Sequence, residues 1–341
     1  MTSIQTKDLF GVSVVIPTLN SSRTLGDCLS SIRMQEYPQE KIEILVVDGG
    51  STDDTQKIAE AHDCVFIEGG YRENQEARKG VGLHAAKNEI VAYIDSDNIL
   101  PDKNWFIQMI QPFIEDKEIV GTQTLRYSVV EDFPAFSRYC ALLGANDPVA
   151  FYLGKSEKLS WVYDEWGLTS KKYETKDFFV VDFTERNLPT VGANGYFIYK
   201  DILLKSDCSP ENFFHIDVIL DLVKMGYTTY AMVKNEIMHD TAATLQNLSK
   251  RRVKYFKEYA PTHSNRRYIL FDFARFRDIF NLAKFIFFTI TLVQPILFSI
   301  RGYLKKKDCA WFLHPLVCWN FLIAYTGASL SMFWFGKVSR R

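Results

Sequence analysis

Nothing in this chain pairs its cysteines. Six of them stand far apart, at Cys28, Cys64, Cys140, Cys208, Cys309 and Cys318. That spacing excludes a CxxC metal cluster and a disulfide framework, and a reducing compartment is the simpler expectation. Charge of one sign is also missing: 40 Lys and Arg against 41 Asp and Glu leave a formal charge of -1. The chain as a whole therefore attracts neither nucleic acid nor an anionic membrane, and such a partner must be met by local patches. The opening MTSIQTKDLFGVSVVIP lacks a charged region followed by a long apolar core and a small-residue cleavage site. A secretory leader is not expected, and the first domain is expected to stay in the cytoplasm.

What is present is enough apolar sequence for a sizeable core: 341 residues, 47% of them hydrophobic, suit one large domain with an appendage. VSVVI (12–16) is a β-branched run ended by Pro17, and the residues after it place Leu25, Leu29 and Ile32 at helical spacing. The same strand, loop and helix recur through IEILVVD, STDDTQKIAEAH and CVFIEG, and a helix from about Gln75 to Lys87 leads into IVAYID. Alternation of this kind, with nearly continuous apolar strands, predicts a parallel sheet covered on both faces. Ligands of such sheets bind beyond the carboxyl ends of the strands, and Pro17, Asp48 and Asp95 all fall there. Beyond residue 120, TQTLRYSVV reads as a strand, 131–190 is an aromatic-rich stretch without clear period, and TTYAMVKNEIMH reads as the closing strand.

AYIDSDNILP (92–101) sets two carboxylates two positions apart where a strand gives way to turn residues. Asp95 and Asp97 can cap a turn or hold a divalent cation against a charged ligand. The tail differs in kind. LSKRRVKYFKEY and SNRRYILFDFARFR mix basic and aromatic residues at helical spacing, as a helix at a membrane surface does. The runs 279–300 and 309–335 are long enough to cross an apolar core of about 30 Å, with Trp311, Trp319 and Trp334 suited to its interfaces. A simple hairpin would put the basic connection RGYLKKKD on the far side, against the positive-inside tendency, so Pro295 turning the first run back is the competing arrangement. Boundaries are expected at 1–242 for the main domain, 243–277 for basic interfacial helices and 278–341 for an anchor of two hydrophobic helices.

VSVVIPTLNSSRTLGDCLSSI, ILVVDGGSTDDT, EARKGVGLHAAKNEIVAYIDSDNILP, VGANGYFIYKD and FFHIDVILDLVKMGY resemble, in order and spacing, the family 2 glycosyltransferases with the GT-A fold, over about residues 12 to 240. The resemblance implies an α/β fold with a mixed, mainly parallel nucleotide-sugar-binding sheet flanked by helices, followed by membrane-associated helices. It implies transfer of a sugar with inversion from a nucleotide-sugar, a UDP-sugar by preference. It places Pro17, Thr18 and Asn20 against the nucleotide, Asp48 on the base, and Arg78 near base or phosphate, with Lys79 as the second choice. Gly49 departs from the second acid common among relatives.

By the same resemblance Asp95, Ser96 and Asp97 form the DxD signature. Asp95 and Asp97 would hold Mn²⁺ or Mg²⁺, with His239 as a further metal contact or simply a structural histidine. Gly192, Ala193 and Asn194 would meet acceptor and donor sugar. Asp217 would be the base that takes the acceptor's proton, Asp221 being the second choice and His215 standing where a neighbouring acid is usual. KRRVKY resembles the Q-x-x-R-W element of processive synthases only loosely, since Gln and Trp are absent. The expected acceptor is a polyprenyl phosphate or a polyprenyl-diphosphate-linked saccharide at the cytoplasmic face of a membrane, with membrane lipids as partners and no nucleic acid. The alternatives are a polysaccharide synthase subunit or a silent nucleotide-binding scaffold.

Overall fold

In the computed structural model, residues 9–241, 244–258 and 266–338 are described. In chain order the elements are β1 Val12–Thr18, α1 Leu25–Arg33, β2 Ile42–Asp48, α2 Thr55–Ala61, β3 Val65–Glu68, α3 Gln75–Ala85, β4 Ile90–Tyr93, β5 Asn98–Ile99, α4 Trp105–Glu115 and β6 Gly121–Tyr127. There follow α5 Ala135–Leu143, α6 Pro148–Tyr152, β7 Ser170–Glu174, β8 Phe178–Asp182, β9 Tyr196–Tyr199, α7 Lys200–Leu203, α8 His215–Lys224 and β10 Thr229–His239. The chain ends in α9 Leu245–Glu258, α10 Phe276–Thr291, α11 Val293–Lys305 and α12 His314–Val338. These elements divide into two compact units, residues 1–128 with 166–240, and residues 129–165 with 241–341.

The first unit is built on a sheet of order β3-β2-β1-β4-β9-β6-β10-β8-β7. Its first four strands are parallel, as the alternating pattern predicts, and every residue of β1 is buried, which is why VSVVIPT reads as an unbroken apolar run. The sheet becomes mixed at β9, which pairs antiparallel with both β4 and β6. Helix α3 lies unusually close to β1 and β2. A Cβ at Gly82 would come within 2.3 Å of Val15 and 3.1 Å of Val47, so only glycine lets the helix approach this far. On the other side, α4 buries Trp105, Phe106, Met109, Ile110 and Phe113, and Trp105 Nε1 donates to the Glu236 carbonyl of β10 at 2.8 Å. The short β5 pairs with the far end of β10, His239 opposite Asn98.

The second unit has its own core, in which Tyr139, Leu142, Leu143, Val162, Leu248, Phe298, Trp311, Val317 and Phe321 are buried together. The stretch without clear period thus resolves into two parts. Residues 129–165 cluster with the C-terminal residues, and 170–182 form the β7–β8 hairpin of the sheet.

Three expectations for the tail change. The run 279–300 is not one helix: α10 and α11 meet at Leu292, in the left-handed region at φ 60°, with an 88° bend. Pro295 is the cause, because it has no N–H for the carbonyl of Thr291 and its ring would strike that turn. Among the described residues one helix, Cys309–Met332, is long and apolar enough to cross a membrane. Trp311 is fully buried in the core rather than at a surface, its Nε1 donating to the Lys306 carbonyl. Residues 266–275 are turns and bends, not the helix their spacing predicts. The buried carboxylate of Asp278 accepts from Lys155 at 2.9 Å and from the Asp272 backbone at 3.1 Å, so a turn is organised around it. Trp334 and residues 259–265 of the basic segment lie outside the described side chains.

Candidate functional site

Three parallel strands bring their carboxyl ends to one edge of the first unit. At the end of β1, Pro17 and Thr18 are buried, and Asn20 follows in the left-handed region at φ 51°. Thr18 Oγ1 donates to Asp48 Oδ1 at 2.9 Å, and the Asp48 carboxylate also accepts from the Gly50 and Ser51 backbones at 2.7 and 2.6 Å and from Ser51 Oγ at 2.5 Å. Burial opposes ionisation of Asp48, but the bonds from Ser51, Thr18 and Gly50 outweigh it and hold the carboxyl below its ordinary range. Asp48 thus ties its own loop together. Asn20 Oδ1 accepts from the Thr52 backbone at 2.9 Å, joining the β1 and β2 loops.

Arg78 and Lys79, neighbours on α3, are both buried and go to different places. Arg78 Nη1 donates to the carbonyls of Tyr71 and Arg72 at 2.7 and 3.1 Å. A Cβ on Gly49 would sit 2.7 Å from the same nitrogen, so the glycine found in place of an acid leaves room for the guanidinium. Lys79 turns the other way. Its Nζ donates to the Ala193 carbonyl at 2.6 Å and lies 3.2 Å from Asp95 Oδ1 and 3.6 Å from Glu76 Oε1. The residue ranked second by sequence is therefore the one that reaches the Asp pair.

Asp95 Oδ1 also accepts from Gln75 Nε2 at 3.0 Å, and its backbone N–H donates to Asn98 Oδ1 at 2.9 Å. Burial raises its carboxyl above the ordinary range; Lys79 pulls it back and Asp97 adds to the rise. Ser96 Oγ donates to Ser21 Oγ at 3.0 Å, in the loop after β1. Asp97 Oδ1 is 3.4 Å from His239 Nε2, whose ring stacks on Tyr127 with centroids 5.2 Å apart. The pairing of β5 with β10 is what brings these two together across the sequence.

Asp97 and His239 share one spot, and the Asp95 carboxylate, which feels the charge of both, is engaged by Lys79 and Gln75. Among the described residues no three His, Cys, Asp or Glu side chains converge as a ready-made cation site. Mg²⁺ and Mn²⁺ commonly take only one or two carboxylates from the protein and fill their remaining positions with phosphate and water. Asp97 with His239 fits that partial donor set.

Gly192, Ala193 and Asn194 form the loop facing α3 and α8. Gln123 anchors it, accepting from the Gly192 backbone at 3.1 Å and donating to the Asn194 carbonyl at 3.1 Å. A side chain at Gly192 would run into Ile219 and touch His215. On α8, Asp217 lies in the first turn and is only 1% exposed. His215, at the start of the helix, keeps 12% of its side chain exposed, and its Nδ1 lies 2.8 Å from Glu76 Oε2. The same oxygen accepts the His215 backbone N–H at 2.9 Å. Burial works against the charge on Glu76, but His215 and Lys79 outweigh it and hold the carboxyl well below its usual range.

Glu76 and Gln75 were missed from sequence. The one signal for them is the i, i+3 pair Glu76 and Lys79 on one helix.

Residues 13–167 match the family model described as Glycosyl transferase family 2. The chain is 33% identical over 99 residues to glycosyltransferase AglE of Haloferax volcanii, a match covering 28% of this chain and 32% of that protein. It is 30% identical over 114 residues to glycosyltransferase GlyG of Streptococcus pneumoniae, covering 31% and 36%. To poly-beta-1,6-N-acetyl-D-glucosamine synthase of Staphylococcus epidermidis it is 29% identical over 113 residues, covering 32% and 27%. The chain thus spans about a third of the length of these relatives. Among solved structures, mannosyltransferase PcManGT from Pyrobaculum calidifontis in complex with GDP-Man and Mn²⁺ overlays with a TM-score of 0.49 at 14% identity, over 94% of this chain and 87% of that one.

Proposed function

We propose that the chain, whose residues 13–167 match the glycosyl transferase family 2 model, transfers a sugar with inversion from a nucleotide-sugar, a UDP-sugar by preference, to a lipid-linked acceptor at the cytoplasmic face of a membrane. The observation that carries this reading is the convergence of the β1, β2 and β4 ends at one sheet edge, with Asp48, Asp95 and the Asp97–His239 pair along it. On this reading the loops joined by Thr18, Asn20, Asp48 and Ser51 receive the nucleoside, and Arg78 stiffens the floor below them. Asp97 and His239 would hold a divalent cation, Mn²⁺ or Mg²⁺, which when bound neutralises charge on the departing diphosphate. Lys79 offsets Asp95 and steadies the loop of Gly192, Ala193 and Asn194, against which sugar and acceptor meet. The first turn of α8, where Asp217 was expected to act, supplies the proton acceptor.

The membrane half of the reading is supported by the second unit. On α10, Phe276, Ile279, Phe280, Phe287 and Ile290 form an exposed apolar stripe, while Asp278 and Thr289 point inward. On α11, Val293, Ile296, Leu297, Ile300 and Leu304 repeat the pattern, and on α12 the stripe is Leu316, Ile323 and Leu330. Helices that turn their apolar side out need an apolar phase to meet it. A polyprenyl-phosphate or polyprenyl-diphosphate-linked acceptor suits a domain held there.

The test is a thermal-shift panel of UDP- and GDP-sugars with Mn²⁺, followed by transfer of labelled sugar into a membrane lipid extract. Stabilisation by a nucleotide-sugar and one labelled lipid product are expected; no shift with any donor would sink the proposal. The match to a polysaccharide synthase favours a second reading, which the same assay separates by product size, one sugar per lipid against a polymer.

A further inference from the structure

We propose that His215, oriented by Glu76, is the group that takes the acceptor's proton, in place of Asp217. The inference rests on the transferase reading and names the catalytic residue of that same site. Three observations carry it.

The first is access. Asp217 is 1% exposed, whereas His215 keeps 12% of its side chain open, at the start of the helix and beside Gly192 of the sugar-facing loop. A base must touch the hydroxyl it deprotonates, and an enclosed carboxylate does not.

The second is the tautomer. Glu76 Oε2 lies 2.8 Å from His215 Nδ1 and accepts the His215 backbone N–H at 2.9 Å. Lys79 lies 3.6 Å from the other oxygen, Oε1. Beside two cationic or donating partners the carboxylate stays ionised and can only accept, so Nδ1 carries the ring proton. In the neutral ring the lone pair that a general base requires is then on Nε2, and among the described residues Nε2 has no protein hydrogen bond.

The third is placement. Lys79 joins Glu76, Asp95 and the Ala193 carbonyl. One buried cation thus fixes the acid behind the histidine, the first acid of the DxD turn and the loop between them. The orienting acid lies on α3, about 140 positions earlier in sequence.

In the step itself, the acceptor hydroxyl oxygen forms a bond to the anomeric carbon as its proton passes to His215 Nε2. The bond from that carbon to the diphosphate oxygen breaks, and its electron pair leaves with the nucleoside diphosphate. The imidazolium formed sits against the Glu76 carboxylate, which stabilises it without taking the proton. Glu76 is a positioning residue here.

The full chain is assayed with UDP-glucose and with GDP-mannose, each with Mn²⁺ and a membrane lipid extract. His215→Ala is expected to lose about a hundredfold or more in kcat, within the range of general-base catalysis, while its thermal shift with the donor is unchanged. Imidazole added to the buffer is expected to restore part of the rate. His215→Gln, which fills the space of the ring, is expected to lose as much, and this separates chemistry from folding. Glu76→Gln is expected to lose about tenfold or more in kcat with donor KM unmoved, since the charge that orients and stabilises the imidazolium is gone. Turnover by His215→Ala at the wild-type rate, or a folded, donor-binding His215→Ala that imidazole does not restore, overturns the assignment and leaves the transferase reading standing. Absence of both stabilisation and transfer by the wild type across the whole panel of UDP- and GDP-sugars removes the two together.

Discussion

Helices α3 and α10 break the same rule in opposite directions. A surface helix ordinarily hides an apolar stripe and shows its charges. Helix α3 hides Arg78 and Lys79, each less than 5% exposed, while α10 shows Phe276 at 81% and Phe287 at 63%. The difference lies in what meets each inverted face. Every charge buried by α3 has protein partners: carbonyls of Tyr71, Arg72 and Ala193, and the carboxylates of Glu76 and Asp95. A buried cation so surrounded is tolerated because its desolvation is offset by polar contacts. The apolar stripe of α10 stays exposed in the described structure. On the proposed function, one inversion belongs to the site for a charged ligand and the other to a surface that lipid covers.

That comparison can be broken most sharply at the sheet edge. Asp97→Ala is expected to cut metal-dependent transfer by about a thousandfold, or several kcal/mol of barrier, with the melting temperature little changed; steady-state kinetics over a Mn²⁺ series would show it. Lys79→Met leaves Glu76 and Asp95 without their shared cation. Loss of one partner of a buried pair costs about 3 kcal/mol or more, so the midpoint of urea unfolding should fall well below that of the wild type. If it does not, the burial of charge by α3 is not held up by these partners.

On the other side of the comparison, Phe280→Asp, Phe287→Asp and Leu297→Asp each remove an outward apolar side chain. Each should weaken co-sedimentation with phosphatidylcholine vesicles by about tenfold to a hundredfold, as expected when about 1.5–3 kcal/mol of apolar burial is lost, and transfer to a soluble acceptor analogue should survive. Unchanged sedimentation in all three would mean that lipid does not cover this face. The smallest effect concerns the β1–α1 and β2–α2 loops. Burial opposes ionisation of Asp53, but bonds from Thr55 and Ser22 hold its carboxyl at about 2, against an ordinary value of 3.8. A depressed folded-state pKa contributes stability that is present above the ordinary value and is lost as pH falls through the folded one. Urea midpoints should therefore decline between about pH 4 and about pH 2, and Asp53→Asn should flatten part of that decline.

Much of the first unit was visible in local pattern. The strands VSVVI, IEILVVD and IVAYID were found because strands buried on both faces are continuously apolar. Pro17, Asp48 and the Asp95–Asp97 turn were placed at strand ends on the same ground. What escaped was decided by long-range pairing: β9 entering antiparallel between β4 and β6, β5 carrying Asp97 to His239, and residues 129–165 leaving the sheet for the second unit. In the tail, hydropathy identified the apolar runs correctly as a composition. It could not tell an outward stripe from a buried one, nor foresee that Trp311 would fill a core.

Sequence by itself determined the alternating β/α order, the line of polar residues at strand ends and the apolar character of the runs 279–300 and 309–335, because each follows from periodicities of two or 3.6 residues, from hydropathy and from turn chemistry within a few positions. Tertiary structure alone decided which of two adjacent cations, Arg78 or Lys79, reaches Asp95, and that Glu76 stands behind His215. Those outcomes depend on how closely α3 packs on β1 through Gly82 and on which way each side chain leaves the helix. Neither is set by any stretch of chain short enough to carry a pattern.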